Sequence, residues 1–354
     1  MRLGLVGYGN GGRHFHAPYI SAATGVELVG VVARAPERRA QVAADFPGLP
    51  VHGSLASLLA AGVDAVTITT PPATRRELVL EAIAGGVHVI ADKPFAPTAA
   101  AGRELVDAAR AAGVALSVFH NRRWDADVRT LAAVLRRGDL GELVRVESRF
   151  DLDEPGGLDP GPHGGLLRDL GAHLVDQLCW LLGPVRTVSA ELEWIATPGG
   201  PTDAGFMVAL VHESGVRAHA SATKMNRNIE RELRAYGSGG SFVSHATDAQ
   251  TQAIFAGRRP AAEGDAWGYE PESAWPTLRT AAGVTTAPSE RGAYQDYYTQ
   301  FAAAFESRGA YPVPAEEGIR TLEVLDAART SALEGRVVAV GAPTPPPVDA
   351  VTGD

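Results

Sequence analysis

Three side chains near the middle of the chain have the types and spacing of a proton-handling site. Asp169 and His173 stand four residues apart, and Asp176 follows three later. On a helix those spacings bring side chains onto one face. A carboxylate beside an imidazole can orient the ring and tune its pKa close to neutrality. The pair also reads as part of a metal site or as an ordinary exposed helix pair. No third and fourth ligand stand at matching spacing, so no metal is expected. Lys93 is the other reactive candidate, set between an apolar run and Pro94. Proline disfavours helical geometry in the residue before it, so Lys93 is held extended and given a direction. An ammonium so held can polarise a substrate oxygen or share a proton. The plain alternative is a surface lysine in a loop, the usual place for lysines.

A second kind of chemistry is written at the start of the chain. Leu3-Gly4-Leu5-Val6 is an apolar run that breaks into Gly7-Tyr8-Gly9-Asn10-Gly11-Gly12, followed by a helical stretch at 13–21. Strand, G-x-G-x-x-G and helix in that order open a dinucleotide-binding βαβ unit. Gly7 permits the turn, Gly9 lets backbone approach a pyrophosphate, and Gly12 lets the helix pack close to the strand. The phosphates then rest on free helix N–H groups, where the dipole favours negative charge. A second strand at 26–32 is followed by Arg34 where NAD-selective proteins place an acid, with Arg38 and Arg39 just inside the next helix. A carboxylate there would repel a 2′-phosphate, whereas a guanidinium can clamp it. NADP(H) is therefore expected ahead of NAD(H), with Arg34 and Arg38 on the phosphate.

The elements that must position these groups can be read in order. Helices at 54–60, 74–84 and 98–112 alternate with strands at 65–69, 87–91 and 114–119. Alternation of that kind predicts a parallel sheet covered on both faces. Ligands of such sheets bind beyond the carboxyl ends of the strands, which is where Thr70-Pro71 and Asp92-Lys93-Pro94 fall. The composition changes after Trp124. A helix at 125–137, a strand at 143–150 and a loop at 151–165 lead into a helix that ends at Gly183-Pro184. Strands at 187–194, 206–212, 216–221, 231–236 and 241–244 alternate polar and apolar residues and suggest an open, mostly antiparallel sheet. Residues 257–292 read as loop. Helices at 294–306 and 316–333 follow, and a proline-rich tail is expected to be disordered. The fold class is α/β: a Rossmann dinucleotide-binding domain at 1–122, an α+β domain for substrate and oligomerisation at 123–340, and a tail at 341–354.

Composition narrows the partners. Asp plus Glu number 41 against 32 Lys plus Arg, a net charge of −9, and no basic block offsets it. Such a surface disfavours nucleic acid. The apolar runs are too short to span a membrane, and a strand at residue 3 leaves no room for a leader, so a cytoplasmic protein is expected. The single cysteine, Cys179, cannot form an internal disulfide and reads as core packing.

Gly7-Tyr8-Gly9-Asn10-Gly11-Gly12, Thr70-Pro71, Ala91-Asp92-Lys93-Pro94 and Asn121-Arg122-Arg123-Trp124-Asp125 together resemble the Gfo/Idh/MocA oxidoreductases. Asp92 stands where that family characteristically has Glu. Pro72 and Arg75 stand where it often has Asn and His. The resemblance implies that Lys93, Asp169 and His173 are catalytic, and Asp176 continues the match. It implies cofactor contacts from Gly7 to Gly12 and from Arg34, Arg38, Thr70, Pro71, Lys93 and Asn121. Substrate contacts would come from Lys93, Arg122, Asp169 and His173. The implied activity is hydride transfer between nicotinamide and a secondary hydroxyl or ketone of a polyol, sugar or inositol-like compound. The loop at 151–165 would lie over the site, but Asp151, Asp153, Glu154, Asp159 and His163 do not spell out one ligand. Relatives pair the open faces of their second sheets, which implies a homodimer or homotetramer. A regulator that binds the dinucleotide without turning it over is the rival reading, since fold alone does not decide function. The joint presence of Lys93, Asp169 and His173 favours the enzyme.

Overall fold

A computed structural model of the chain describes residues 1–161 and 164–341. The first sheet is built from runs that are apolar on both faces. Its strands are β1 (Arg2–Val6), β2 (Glu27–Val32), β3 (Val51–His52), β4 (Ala65–Ile68), β5 (His88–Asp92) and β6 (Leu116–Phe119). Among the described residues it has six strands, ordered β3-β2-β1-β4-β5-β6, and every pair is parallel. β4 and β6 are buried along their whole length, as strands covered on both sides must be. The covering helices are α1 (Ala17–Ala22), α2 (Pro36–Asp45), α3 (Leu55–Ala60), α4 (Pro72–Ala84) and α5 (Ala99–Ala112). Ser54 and Thr98 cap α3 and α5 by accepting from the backbone N–H groups of Ser57 and Ala101. The helix expected at 13–21 begins earlier, as a π-helical turn over Gly11–His16 that runs straight into α1.

A 3₁₀ turn, Asn121–Trp124, carries the chain out of this sheet into α6 (Ala126–Arg137). Next come β7 (Leu143–Asp153), α7 (Leu166–Leu182), β8 (Val185–Thr197), β9 (Gly200–His212), β10 (Arg217–Thr223), β11 (Met225–Gly237) and β12 (Gly240–Ser244). Residues 257–292, which read as loop, contain two paired strands. After α8 (Ala249–Phe255) and the short α9 (Pro260–Glu263) come β13 (Thr277–Thr280) and β14 (Gly283–Thr286). β14 is exposed throughout and its partner only half-buried, so neither shows the alternation that marks a strand in sequence. α10 (Gln295–Ser307), α11 (Ala315–Glu334) and β15 (Val338–Ala339) complete the described chain. The tail expected beyond residue 341 lies outside the described residues.

The second sheet has nine strands among the described residues, ordered β14-β13-β12-β11-β7-β10-β9-β8-β15. All its pairs are antiparallel except β7 with β10. α7 packs against β9 and β10, and α11 against β8, so one face is covered. On β10 the exposed Arg217 and His219 alternate with the buried Ala218 and Ala220, the pattern of a half-covered sheet. α10 and α11 also return to the first sheet. Tyr297 Oη lies 2.6 Å from Ser117 Oγ on β6, and Tyr298 Oη lies 2.6 Å from His16 Nδ1. Asp326 on α11 accepts from Ala99 N at the start of α5 and from Arg168 on α7.

Candidate active site

The glycine loop is shaped by what it must avoid. Gly7 has φ +103°, a region in which side chains are strained. A Cβ on Gly12 would stand 2.2 Å from Gly7 O, so only glycine lets the helix come this close to the turn. A Cβ on Gly9 would meet nothing within 4 Å, which leaves that side of the backbone open. The first N–H groups of the helix that follows have no intrahelical acceptor. Thr70 Oγ1, beside the loop, is buried without a hydrogen-bond partner. Open backbone, free donors and an orphaned hydroxyl suit a pyrophosphate-bearing cofactor. Asn10 and Pro71 are exposed around the same opening, and Arg34 is exposed after β2. Arg38, in the first turn of α2, donates to Gln41 Oε1 at 3.0 Å. Tyr8 is placed differently from the sequence reading. Its ring is buried and its hydroxyl donates to Asp45 Oδ2 at 3.0 Å, a carboxylate also held by Arg13. The side chain of Tyr8 thus serves the fold, and only its backbone remains for a ligand.

The strand ends of β4 and β5 are fastened to each other beside this loop. Thr69 Oγ1 donates to Asp92 Oδ2 at 2.8 Å, and Lys93 N donates to Asp92 Oδ1 at 2.8 Å. Burial pushes the Asp92 carboxyl up, but His16, Arg75 and Lys93 outweigh it and hold it well below the usual carboxylate range. The shorter acid therefore still reaches the threonine and its own following amide. Arg75 is buried, and its guanidinium donates to three backbone carbonyls: Asp92 at 2.9 Å, Pro94 at 2.5 Å and Thr70 at 2.7 Å. It clamps together the two loops that carry the expected cofactor contacts.

Lys93 reaches from there to α7. Its Nζ donates to Asp169 Oδ1 at 2.8 Å and to the Asp169 carbonyl at 3.1 Å. The other carboxylate oxygen accepts from Lys224 Nζ at 3.1 Å. Burial pushes Asp169 up, but the two ammonium groups bring it down to about 2. Both oxygens of Asp169 are thus taken by lysines, which corrects the expected Asp169–His173 pairing. Among the described residues His173 Nδ1 is buried without a partner. Burial lowers the imidazole well below its ordinary 6.5, and Lys93, Arg122, His120 and Arg231 push it the same way. His173 is a neutral imidazole at neutral pH, held so first by burial and then by the cations beside it.

Arg122 is also employed otherwise than expected. Its Nη1 donates to Asp248 Oδ2 at 3.1 Å and Asp125 Oδ2 at 3.3 Å, and its guanidinium lies 4.9 Å from the Phe150 ring. It bears on His173 through its charge. Asp176 is fixed by Arg123 through two bonds of 2.7 and 2.8 Å, with Thr321 and His120 beside it, so it serves the packing of α7. Asn121 is buried in the 3₁₀ turn. His163 lies outside the described residues. Sequence reasoning missed Lys224, which sits at the corner between β10 and β11 with no motif around it. His120 and the clamping role of Arg75 were missed as well, because buried polar contacts leave no periodic signal.

A glycine loop open to a dinucleotide, joined through Lys93 to a carboxylate and a neutral histidine, defines a dinucleotide-dependent oxidoreductase. Residues 1–120 match the model of the GFO/IDH/MocA oxidoreductase family with its NAD-binding Rossmann fold, and residues 128–243 match the family's C-terminal domain. The chain belongs to the Gfo/Idh/MocA family. It is 33% identical over 337 residues to the oxidoreductase YdgJ of Escherichia coli, covering 92% of this chain and 94% of that one. It is 30% identical to scyllo-inositol 2-dehydrogenase (NADP(+)) IolW of Bacillus subtilis, covering 96% and 95% of the two chains. The solved structure of the oxidoreductase yvaA from Bacillus subtilis superposes with a TM-score of 0.87 at 29% identity, over 96% of this chain and 98% of that one. Among the described residues no helix is long and apolar enough to cross a membrane.

Proposed function

We propose that this protein is a dehydrogenase or reductase that prefers NADP(H) and acts on a secondary hydroxyl or ketone of a polyol, sugar or inositol-like compound. The observation that carries the reading is the Lys93–Asp169 contact of 2.8 Å between the end of a cofactor-sheet strand and α7, one turn from His173. In the oxidative direction the carbinol O–H gives its proton to an imidazole nitrogen of His173 as the C–H hydride leaves and the carbonyl forms. The nicotinamide supplies the hydride acceptor. A neutral imidazole is the form able to take that proton, and burial, aided by the cations around His173, maintains it. Lys93 offers its remaining N–H to the reacting oxygen and stabilises the charge that develops there. Asp169 aims Lys93. The name of the IolW relative, which specifies both scyllo-inositol and NADP(+), supports the substrate class and the cofactor. So does Arg34, exposed where an acid would exclude a 2′-phosphate.

A panel of polyols, inositols and sugars assayed at 340 nm with both cofactors tests the proposal. Turnover favouring NADP(H) is expected. Tenfold tighter binding of NAD(H), or no turnover with any member of the panel, would overturn it.

A further inference from the structure

Among the described residues Lys224 is the one side chain hydrogen-bonded to the Asp169 carboxylate that neither the motifs nor the family resemblance singled out. It stands where β10 gives way to β11, and its backbone is held on both sides. Its N–H donates to Ala204 O at 3.0 Å, and its carbonyl accepts from Glu154 N at 3.2 Å. The side chain is only 7% exposed, so it is not a solvated surface lysine. Its Nζ makes two bonds, to Asp169 Oδ2 at 3.1 Å and to Gly157 O at 2.9 Å. Gly157 belongs to a turn closed by its own N–H on Glu154 O at 3.0 Å. One ammonium therefore joins three parts of the molecule: the sheet corner, the turn at 154–157 and the helix that carries His173.

A buried ammonium is costly unless it is paired, and a single carboxylate pairs well enough with a single lysine. Lys93 already supplies that partner for Asp169, so charge neutralisation does not require Lys224. What Lys224 adds is geometry. Asp169 is 43% exposed, and its carboxylate would be free to turn if it were held on one oxygen alone. With a lysine on each oxygen the carboxylate plane is fixed, and so is the direction in which Lys93 presents its last N–H. We propose that Lys224 is a positioning residue: it locks Asp169 against Lys93 and, through Gly157, ties the 154–157 turn to the active site. The proposal rests on the reading of Lys93 and His173 as the reacting groups, but its effect on the turn can be measured without substrate.

The test compares Lys224→Met, which keeps the buried stem and removes the charge, with Lys224→Arg. Three readouts are taken on the full chain: NADPH affinity, kcat and KM with a polyol that the wild type oxidises, and hydrogen exchange over residues 152–161 with no substrate present. Lys224→Met should raise KM about tenfold, with a smaller fall in kcat, because the lost contacts position substrate and Lys93 alike. NADPH affinity should stay at the wild-type value, the amides at 154–157 should exchange faster, and Lys224→Arg should recover most of both losses. Wild-type KM, or wild-type exchange at 154–157, in a folded Lys224→Met protein would overturn the proposal. So would a kinetic defect that Lys224→Arg fails to relieve. Faster exchange in a chain whose wild type turns over none of the panel would refute the dehydrogenase reading while leaving the tie to the turn in place.

Discussion

His173 carries the largest burden of any single residue, and its surroundings determine how it should behave. A carboxylate partner would raise its pKa, but Asp169 is committed to two lysines; burial lowers the ring's pKa, and the nearby cations push it the same way. In the oxidative direction kcat/KM should be flat from neutral pH upward and fall only below pH 6.5, as the imidazole takes a proton and ceases to be a base. A profile that rises through pH 7–8 would point to a different base. His173→Ala should lower turnover by roughly 10²–10⁴-fold and leave NADPH affinity unchanged. Lys93→Ala should be severe too, and less than additive with it, because both groups act on one oxygen. A His173→Ala protein with wild-type turnover would make the residue structural. Arg34 governs a different choice. Arg34→Asp should cost about 1.5–3 kcal/mol in NADP binding, the worth of one charge-assisted contact, and shift preference towards NAD. Fluorescence titration with both cofactors reads this directly, and an unchanged ratio would place the 2′-phosphate elsewhere.

α7 shows how one element serves two ends. Asp169 and His173 are the proposed reacting face, while Asp176, two turns on from Asp169, is buried and bonded by both arms of Arg123. Burial pushes Asp176 up, but Arg123 and His120 outweigh it and hold its carboxyl below the ordinary 3.8. The stability it contributes is present above that value and is lost as pH falls through the lowered one. Arg123→Met should destabilise the protein by about 3–5 kcal/mol, because it leaves a buried carboxylate without its main partner. Urea unfolding measures this, and a loss below about 1 kcal/mol would mean that His120 and Thr321, which already lie beside the carboxylate, take over from Arg123. The sequence showed that Asp169, His173 and Asp176 share a helix, because spacing is a local property. It did not show that Asp169 pairs with Lys93 and Lys224 rather than with His173, since those partners are 76 and 55 residues away. The first sheet was legible for the same reason: continuous apolar runs and glycine turns are local signals. β13 and β14 were not, because exposed strands carry no alternation to read.

At the scale of the whole molecule, among the described residues the second sheet presents one face covered by helices and one that is not. Cross-strand register places Glu191, Met207, Ser221 and Arg149 in one row across that side, with the buried Glu232 next to Arg149 at its end. Arg145 and Arg217 lie opposite each other a few residues along, and Glu147 pairs with Arg234 between the two rows. Charges of both signs are interspersed around an apolar side chain, Met207, that is 65% exposed. A face of this kind complements a copy of itself after a two-fold rotation, which sets acids against arginines and closes apolar surface between them. The chain is therefore expected to form a homodimer, or a homotetramer built from two such pairs. Light scattering at micromolar concentration should give two or four chain masses, and Met207→Asp, which replaces the exposed apolar side chain of the row with a carboxylate beside Glu191, should shift the mass downward. A wild-type monomer would overturn the expectation. An oligomer unaffected by Met207→Asp would place the contact on another surface.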